Sequence, residues 1–159
     1  MAKTPSLRDP AILIATWFGA GLLPKAPGTW GSLFALPFAW LMVAAGGAPL
    51  LGGAVVVLFF IGWWASSCYI EQSGIADPGS VVVDEVAGQW LTLVAVPLDP
   101  LLYLIGFLLF RIFDIIKPWP VSWADRRVGG GLGVMLDDIL AGLYALAALL
   151  VLETMRATV

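Results

Sequence analysis

The sequence predicts an all-α, polytopic membrane protein whose helical hairpins hold a polar site at one membrane interface. Three observations predict it. First, 60% of the 159 residues are hydrophobic and only 12% are Asp, Glu, Lys or Arg, against about 45–50% and about 25% in an ordinary soluble domain. Second, the apolar stretches have helical length and are separated by Gly and Pro clusters. Third, the ionisable residues are not scattered. They gather in 23–29 (Leu-Pro-Lys-Ala-Pro-Gly-Thr), 83–89 (Val-Asp-Glu-Val-Ala-Gly-Gln), 111–118 (Arg-Ile-Phe-Asp-Ile-Ile-Lys-Pro) and 135–142 (Met-Leu-Asp-Asp-Ile-Leu-Ala-Gly). Charges in so apolar a chain are costly to bury and mark function.

The length fits a single domain over 1–159. Residues 10–18 read as a short helix with an aromatic end, and 19–31 as a loop marked by Gly19, Gly21, Pro24, Pro27, Gly28 and Gly31. The apolar run before that loop is too short, and lacks the small-residue cleavage site, for a cleaved signal. A helix is expected over 32–45, a break at Gly46-Gly47-Ala48-Pro49, and a membrane-length helix over 50–70, which at 1.5 Å per residue spans roughly 30 Å. A polar turn follows over 71–80. Helices are expected over 82–96 and 101–117, separated by Pro97 and Asp99-Pro100 and stopped by Pro118 and Pro120. Residues 121–133 read as a basic, Gly-rich loop and 136–154 as the last helix. The valine runs 55–57 and 81–83 are short and lie inside longer apolar segments, so helix wins over strand by length.

If the four charged stretches form one site, they lie on one side of the membrane. Helices 32–45 and 50–70 then make one hairpin, 82–96 and 101–117 a second, and the last helix crosses alone. The basic segments from Lys3 to Lys25 and from Arg111 to Arg127 share the site's side, which positive-inside assigns to the cytoplasm. Helices 32–45 and 82–96 are about 14 and 15 residues, shorter than the roughly 20 needed to span.

The chain has no His. That removes Ser-His-Asp triads, His-zinc sites and phosphohistidine chemistry. Cys68 is the sole cysteine, which removes disulfides and thiolate metal clusters, and it sits in an apolar run as packing. The net charge of −3 and the lack of Lys/Arg runs point away from nucleic acid. Carboxylates remain, and oxygen ligands favour Mg2+, Mn2+ or Ca2+.

Arg111, Asp114 and Lys117 share a helix face at i, i+3, i+6; the plainer reading is an interfacial ion-pair stripe. Asp84-Glu85 and Asp137-Asp138 each open a predicted helix, where one acidic residue would serve as a cap. A second adds repulsion unless a cation sits nearby, so Asp84, Glu85, Asp137 and Asp138 are the expected metal ligands. Ala87-Gly88 and Ala141-Gly142 let those helices approach closely. Residues 25–32 form a Gly-containing entry to a helix, where backbone N–H groups suit phosphate. Lys25, Gly28 and Thr29 are the candidates there, and a simple turn is the alternative. Arg126-Arg127 reads either as an anion contact or as a solvated positive-inside loop.

At these residues the chain closely resembles the phosphatidylglycerophosphatase A family. The matching elements are 18–21 (Phe-Gly-Ala-Gly) with 24–32 (Pro-Lys-Ala-Pro-Gly-Thr-Trp-Gly-Ser), 83–90 (Val-Asp-Glu-Val-Ala-Gly-Gln-Trp), 110–120 (Phe-Arg-Ile-Phe-Asp-Ile-Ile-Lys-Pro-Trp-Pro) and 131–142 (Gly-Leu-Gly-Val-Met-Leu-Asp-Asp-Ile-Leu-Ala-Gly). The resemblance implies a Mg2+-dependent enzyme of the bacterial inner membrane that removes the terminal phosphate of an anionic phospholipid, phosphatidylglycerophosphate, on the cytoplasmic side. The expected catalytic residues are Asp84, Asp114 and Asp138, and the expected phosphate contacts are Lys25, Gly28, Thr29, Arg111, Lys117 and Arg126. Attack by metal-activated water is preferred to a carboxylate nucleophile, with Asp114 as base or orienter. A membrane ion or proton transport subunit is the alternative, but a pathway would spread carboxylates through the membrane depth, and the middles of 50–70 and 139–152 carry no charge.

Overall fold

A computed structural model describes residues 6–157. Lys3, counted above among the basic residues, lies outside them. The described elements are α1 (Pro10–Ala15), a 3-10 turn (Ala20–Leu22), α2 (Pro27–Ser73), α3 (Val83–Leu93), α4 (Pro100–Ile116), α5 (Val121–Arg127) and α6 (Gly130–Ala157). No strand forms among the described residues, as expected.

Asp9 caps α1 by accepting from the Ala11 N–H at 2.9 Å, and its other oxygen accepts from Gln72 Nε2 at 2.7 Å, which ties α1 to the end of α2. α1 ends earlier than expected because Trp17 and Phe18 take positive φ values of 46° and 57°. The helical trace of α2 is unbroken, but Gly47 has φ 66° and ψ −163°, so two helices meet there. They are antiparallel. Gly31 and Gly62 both pack against the start of α3, at Val82 and Val83, while the carbonyl of Ala35 accepts from Trp90 Nε1 at 3.0 Å and Gly52 lies against Val94 farther along. The expected hairpin is therefore present and turns at the expected glycines. Its first limb starts at Pro27 rather than Ser32, because Pro27 fits the first helical position and Gly28 and Gly31 sit where side chains would strike α3.

α3 and α4 form the second hairpin. Glu85 is near Arg111 at one end, and Leu93 is near Gly106 at the other. Asp99 caps α4 by accepting from the Leu101 N–H at 2.8 Å. α3 has 11 residues, about 16 Å, and lies at the centre with Val83, Val86, Ala87 and Leu93 fully buried. α6 runs alongside α3 at very close range: a Cβ added to Gly88 would lie 2.6 Å from the Asp138 carbonyl, and one added to Gly142 would lie 2.6 Å from the Gly88 carbonyl. Such approaches need residues without side chains. At the end remote from the charges, Arg156 pairs with Asp99 at 2.9 Å.

Two expectations are corrected. The 121–133 stretch is not a loop, because 121–127 forms α5. Nor do Asp137 and Asp138 open a helix: α6 starts at Gly130, leaving both two turns inside it. The glycines hid this start from the sequence. Gly131 is required because a Cβ there would lie 2.6 Å from the Ser67 amide nitrogen, and Gly133 because its Cβ would strike the Val128 carbonyl.

α2 and α6 are long and apolar enough to cross a membrane, and only 17% of the most apolar window of α2 is buried in the protein. Val56, Val57, Phe60, Leu104 and Leu108 expose their side chains along the outer faces of α2 and α4. Contiguous apolar surface of that kind marks an interaction with membrane or partner.

Candidate active site

Three of the four charged stretches, 83–89, 111–118 and 135–142, line a cavity of about 370 Å³ at one end of the bundle, and the fourth, 23–29, reaches this end through Gly28, which lies against Glu85 and Arg111. The hairpins bring them there: α3 and α6 start at this end, and α4 finishes at it. Asp84, Glu85, Asp114, Asp137 and Asp138 line the cavity. Asp77 and Asp125 line it as well, and among the described residues Lys117 is the one cation on its wall.

Three carboxylates form the centre. One oxygen from each of Asp84, Glu85 and Asp138 lies within 4.8 Å of the others. Asp84 Oδ1, Glu85 Oε2 and Asp138 Oδ2 are buried without a hydrogen-bond partner. Buried acceptors left bare cost free energy, and three adjacent carboxylates repel one another, so this arrangement needs a cation or protons. Burial, then the charge of Glu85, pushes the Asp84 carboxyl well above its ordinary range, and burial raises Glu85 too. A small hard cation with oxygen ligands fits the donor set. Capping does not explain it: α3 has no side-chain cap, and Asp138 is too deep in α6 to reach a terminal N–H.

The cations sit in fixed pairs around this centre. Arg111 Nη1 binds Asp114 Oδ2 at 2.7 Å, approaches Glu85 Oε1 at 3.9 Å and donates to Ser32 Oγ at 3.3 Å. Ser32 in turn donates to the Gly28 carbonyl at 2.9 Å. Gly28 closes this corner, since a Cβ there would run into Glu85 Oε1 and sit 3.2 Å from Arg111 Nη1. Lys117 ends α4 in the left-handed conformation, φ 48°. Its ammonium joins Asp137 of α6 at 2.7 Å and Asp125 of α5. Burial opposes the Lys117 charge, but the hydrogen bonds to Asp125 and Asp137 outweigh it and raise its pKa above the usual 10.5.

The structure therefore brings together Asp84, Glu85, Asp114, Asp137, Asp138, Lys117, Arg111 and Gly28. Asp137 differs from the expected ligand set, because its Oδ2 holds Lys117. Lys25, Thr29 and Arg126 do not line the cavity, and Lys25 and Arg126 are exposed. Sequence reasoning missed Ser32 as the partner of Arg111, and Asp77 and Asp125 as wall residues. Asp125 was legible only as an acid beside two arginines, and nothing in the spacing linked it to Lys117.

Comparison with known proteins finds relatives over nearly the whole chain. The family described as phosphatidylglycerophosphatase A matches residues 13–153. A protein of that description from Escherichia coli (strain K12) is 41% identical over 140 residues, covering 87% of this chain and 81% of its own length. One from Haemophilus influenzae is 37% identical over 152 residues, covering 95% and 93%. A Bacteroides thetaiotaomicron protein, provisionally named a phosphatidylinositol-3-phosphatase, is 42% identical over 156 residues, covering 90% and 92%. No solved structure matches the chain.

Proposed function

This chain belongs to the phosphatidylglycerophosphatase A family, and we propose that its three-carboxylate centre carries out that activity with a divalent metal. It removes the terminal phosphate of phosphatidylglycerophosphate, giving phosphatidylglycerol and inorganic phosphate. The observation that carries the metal reading is the set of unpartnered buried oxygens on Asp84, Glu85 and Asp138. These residues would hold Mg2+. When bound, it would polarise the phosphate and make a water more acidic.

The remaining residues bind and orient. Lys117 faces the cavity and can take phosphate oxygens while Asp125 and Asp137 keep it in place. Arg111 holds one oxygen of Asp114, which leaves the other, Oδ1, to take a proton from the attacking water. The water oxygen bonds to phosphorus and the bond from phosphorus to the lipid oxygen breaks. The proton gained by Asp114 Oδ1 passes to the departing lipid alcohol. Gly28 and Ser32 fix Arg111, so they act through position. The alternative, a carboxylate nucleophile forming an aspartyl-phosphate, is less well supported, because the candidate carboxylates are grouped as ligands or held by cations.

We place the protein in the bacterial cytoplasmic membrane as a multi-pass protein, with both limbs of α2, α4 and α6 as crossing segments and the site at the cytoplasmic face. The gathering of the charged stretches at one end supports this reading over a transport path. Rapid quenching of a single turnover with substrate radiolabelled in its terminal phosphate tests the route: direct water attack leaves no labelled phosphate on the protein at any time before release. A trapped phospho-Asp or phospho-Glu would reverse the assignment.

A further inference from the structure

Beyond its acidic floor, the cavity is lined by 76–79, between α2 and α3, by 128–129, between α5 and α6, and by Gly130 at the start of α6. Its glycines are Gly79, Gly129, Gly130 and Gly133. Two of them are required by the fold. Gly130 has φ +69°, and a Cβ on Gly133 would strike the Val128 carbonyl. Gly79 and Gly129 carry neither constraint. Both are exposed, neither has a left-handed φ, and a Cβ at either position would meet nothing within 4 Å. The fold would accept side chains at both, so packing does not explain the bare backbone.

Both residues are exposed and line the cavity, so their missing side chains leave width where its wall reaches the surface. Asp138, 3% exposed and with Oδ2 unpartnered, lines that cavity and marks it as built for an occupant. A lipid phosphomonoester must bring its terminal phosphate to this floor while its acyl chains stay in the bilayer. The polar linker between them has to pass through the opening. We propose that Gly79 and Gly129 form the headgroup throat of the site, a specificity-determining rim that admits a phosphorylated lipid headgroup by leaving its path unobstructed. This rests on the phosphomonoesterase reading of the same cavity.

The test is a graded series, Gly129→Ala, Gly129→Val and Gly129→Leu, with Gly79→Leu beside it, in the purified full chain. Turnover is measured on phosphatidylglycerophosphate in mixed micelles, and Mn2+ affinity by electron paramagnetic resonance. The expected result is a kcat/KM that falls with side-chain size, by about tenfold or more for Leu, while Mn2+ affinity stays within about twofold. A flat series would overturn the throat. So would turnover and Mn2+ affinity falling together, since the substitutions would then act through the site's fold. An unsubstituted chain that binds no Mn2+ contradicts the metal reading instead. The graded series then decides the throat alone, with melting temperature as the fold control.

Discussion

Asp138→Asn should separate stability from activity in opposite directions. Its carboxylate shares a 4.8 Å neighbourhood with Asp84 and Glu85. Two unit charges at that distance repel by about 3.5 kcal/mol at an effective dielectric of about 20. Proton uptake relieves part of that repulsion in the metal-free protein, and Asn keeps the shape while removing the charge. The substituted protein should therefore be more stable than the original in chelator, by about 1–3 kcal/mol. With metal the order reverses. A ligand at 100 times its Kd stabilises the native state by about 2.7 kcal/mol, or about 5–10 °C in Tm for a chain of this size, and Asp138→Asn should forfeit most of that gain along with turnover. Thermal unfolding in detergent, with EDTA and then with saturating Mg2+, measures both effects. A substituted protein that is less stable in EDTA, yet gains as much from Mg2+ as the original, would refute the reasoning.

Three other outcomes follow from the same geometry. Gly28→Ala should cut kcat/KM by about 100-fold, because the new methyl displaces Glu85 and Arg111 from their positions; steady-state kinetics checks it. Lys25→Ala should change turnover by no more than about fivefold, the scale of a screened surface charge, since Lys25 is exposed and outside the cavity; a loss of 100-fold or more would place it on the phosphate. The Lys117 pKa is raised in the folded state, so its pairing stabilises the fold fully below the usual 10.5 and the contribution fades as pH rises through the folded value. Alkaline unfolding curves should show that loss in the original protein and lack it in Lys117→Met.

The helices and their gathering at one end were legible because apolar runs of fixed length, separated by Gly and Pro, leave few arrangements that put all the charges together. The Gly46–Pro49 turn and the Asp99-Pro100 start of α4 are local signals of that kind. The start of α6 was not legible. Gly130, Gly131 and Gly133 read as a loop by propensity, and contact with α2 explains Gly131 while contact with Val128 explains Gly133. The same error made Asp137 and Asp138 look like caps. The gathering of Asp84, Glu85 and Asp138 was legible, because paired acids in a His-free apolar chain stand out as residues with a shared use. The division of Asp137 from that set depends on Lys117 reaching back across α4, α5 and α6, which no sequence period encodes. Lys25 and Arg126 were inferred from charge and nearby glycines, without the direction of their side chains.

The most direct measurement of the central claim is phosphate release from phosphatidylglycerophosphate by the purified chain, titrated with Mg2+ from a fully chelated state. No release above background is expected in excess EDTA, and saturable recovery as free Mg2+ rises, with Asp84→Asn and Asp138→Asn failing to recover. Full turnover in excess chelator would contradict the claim.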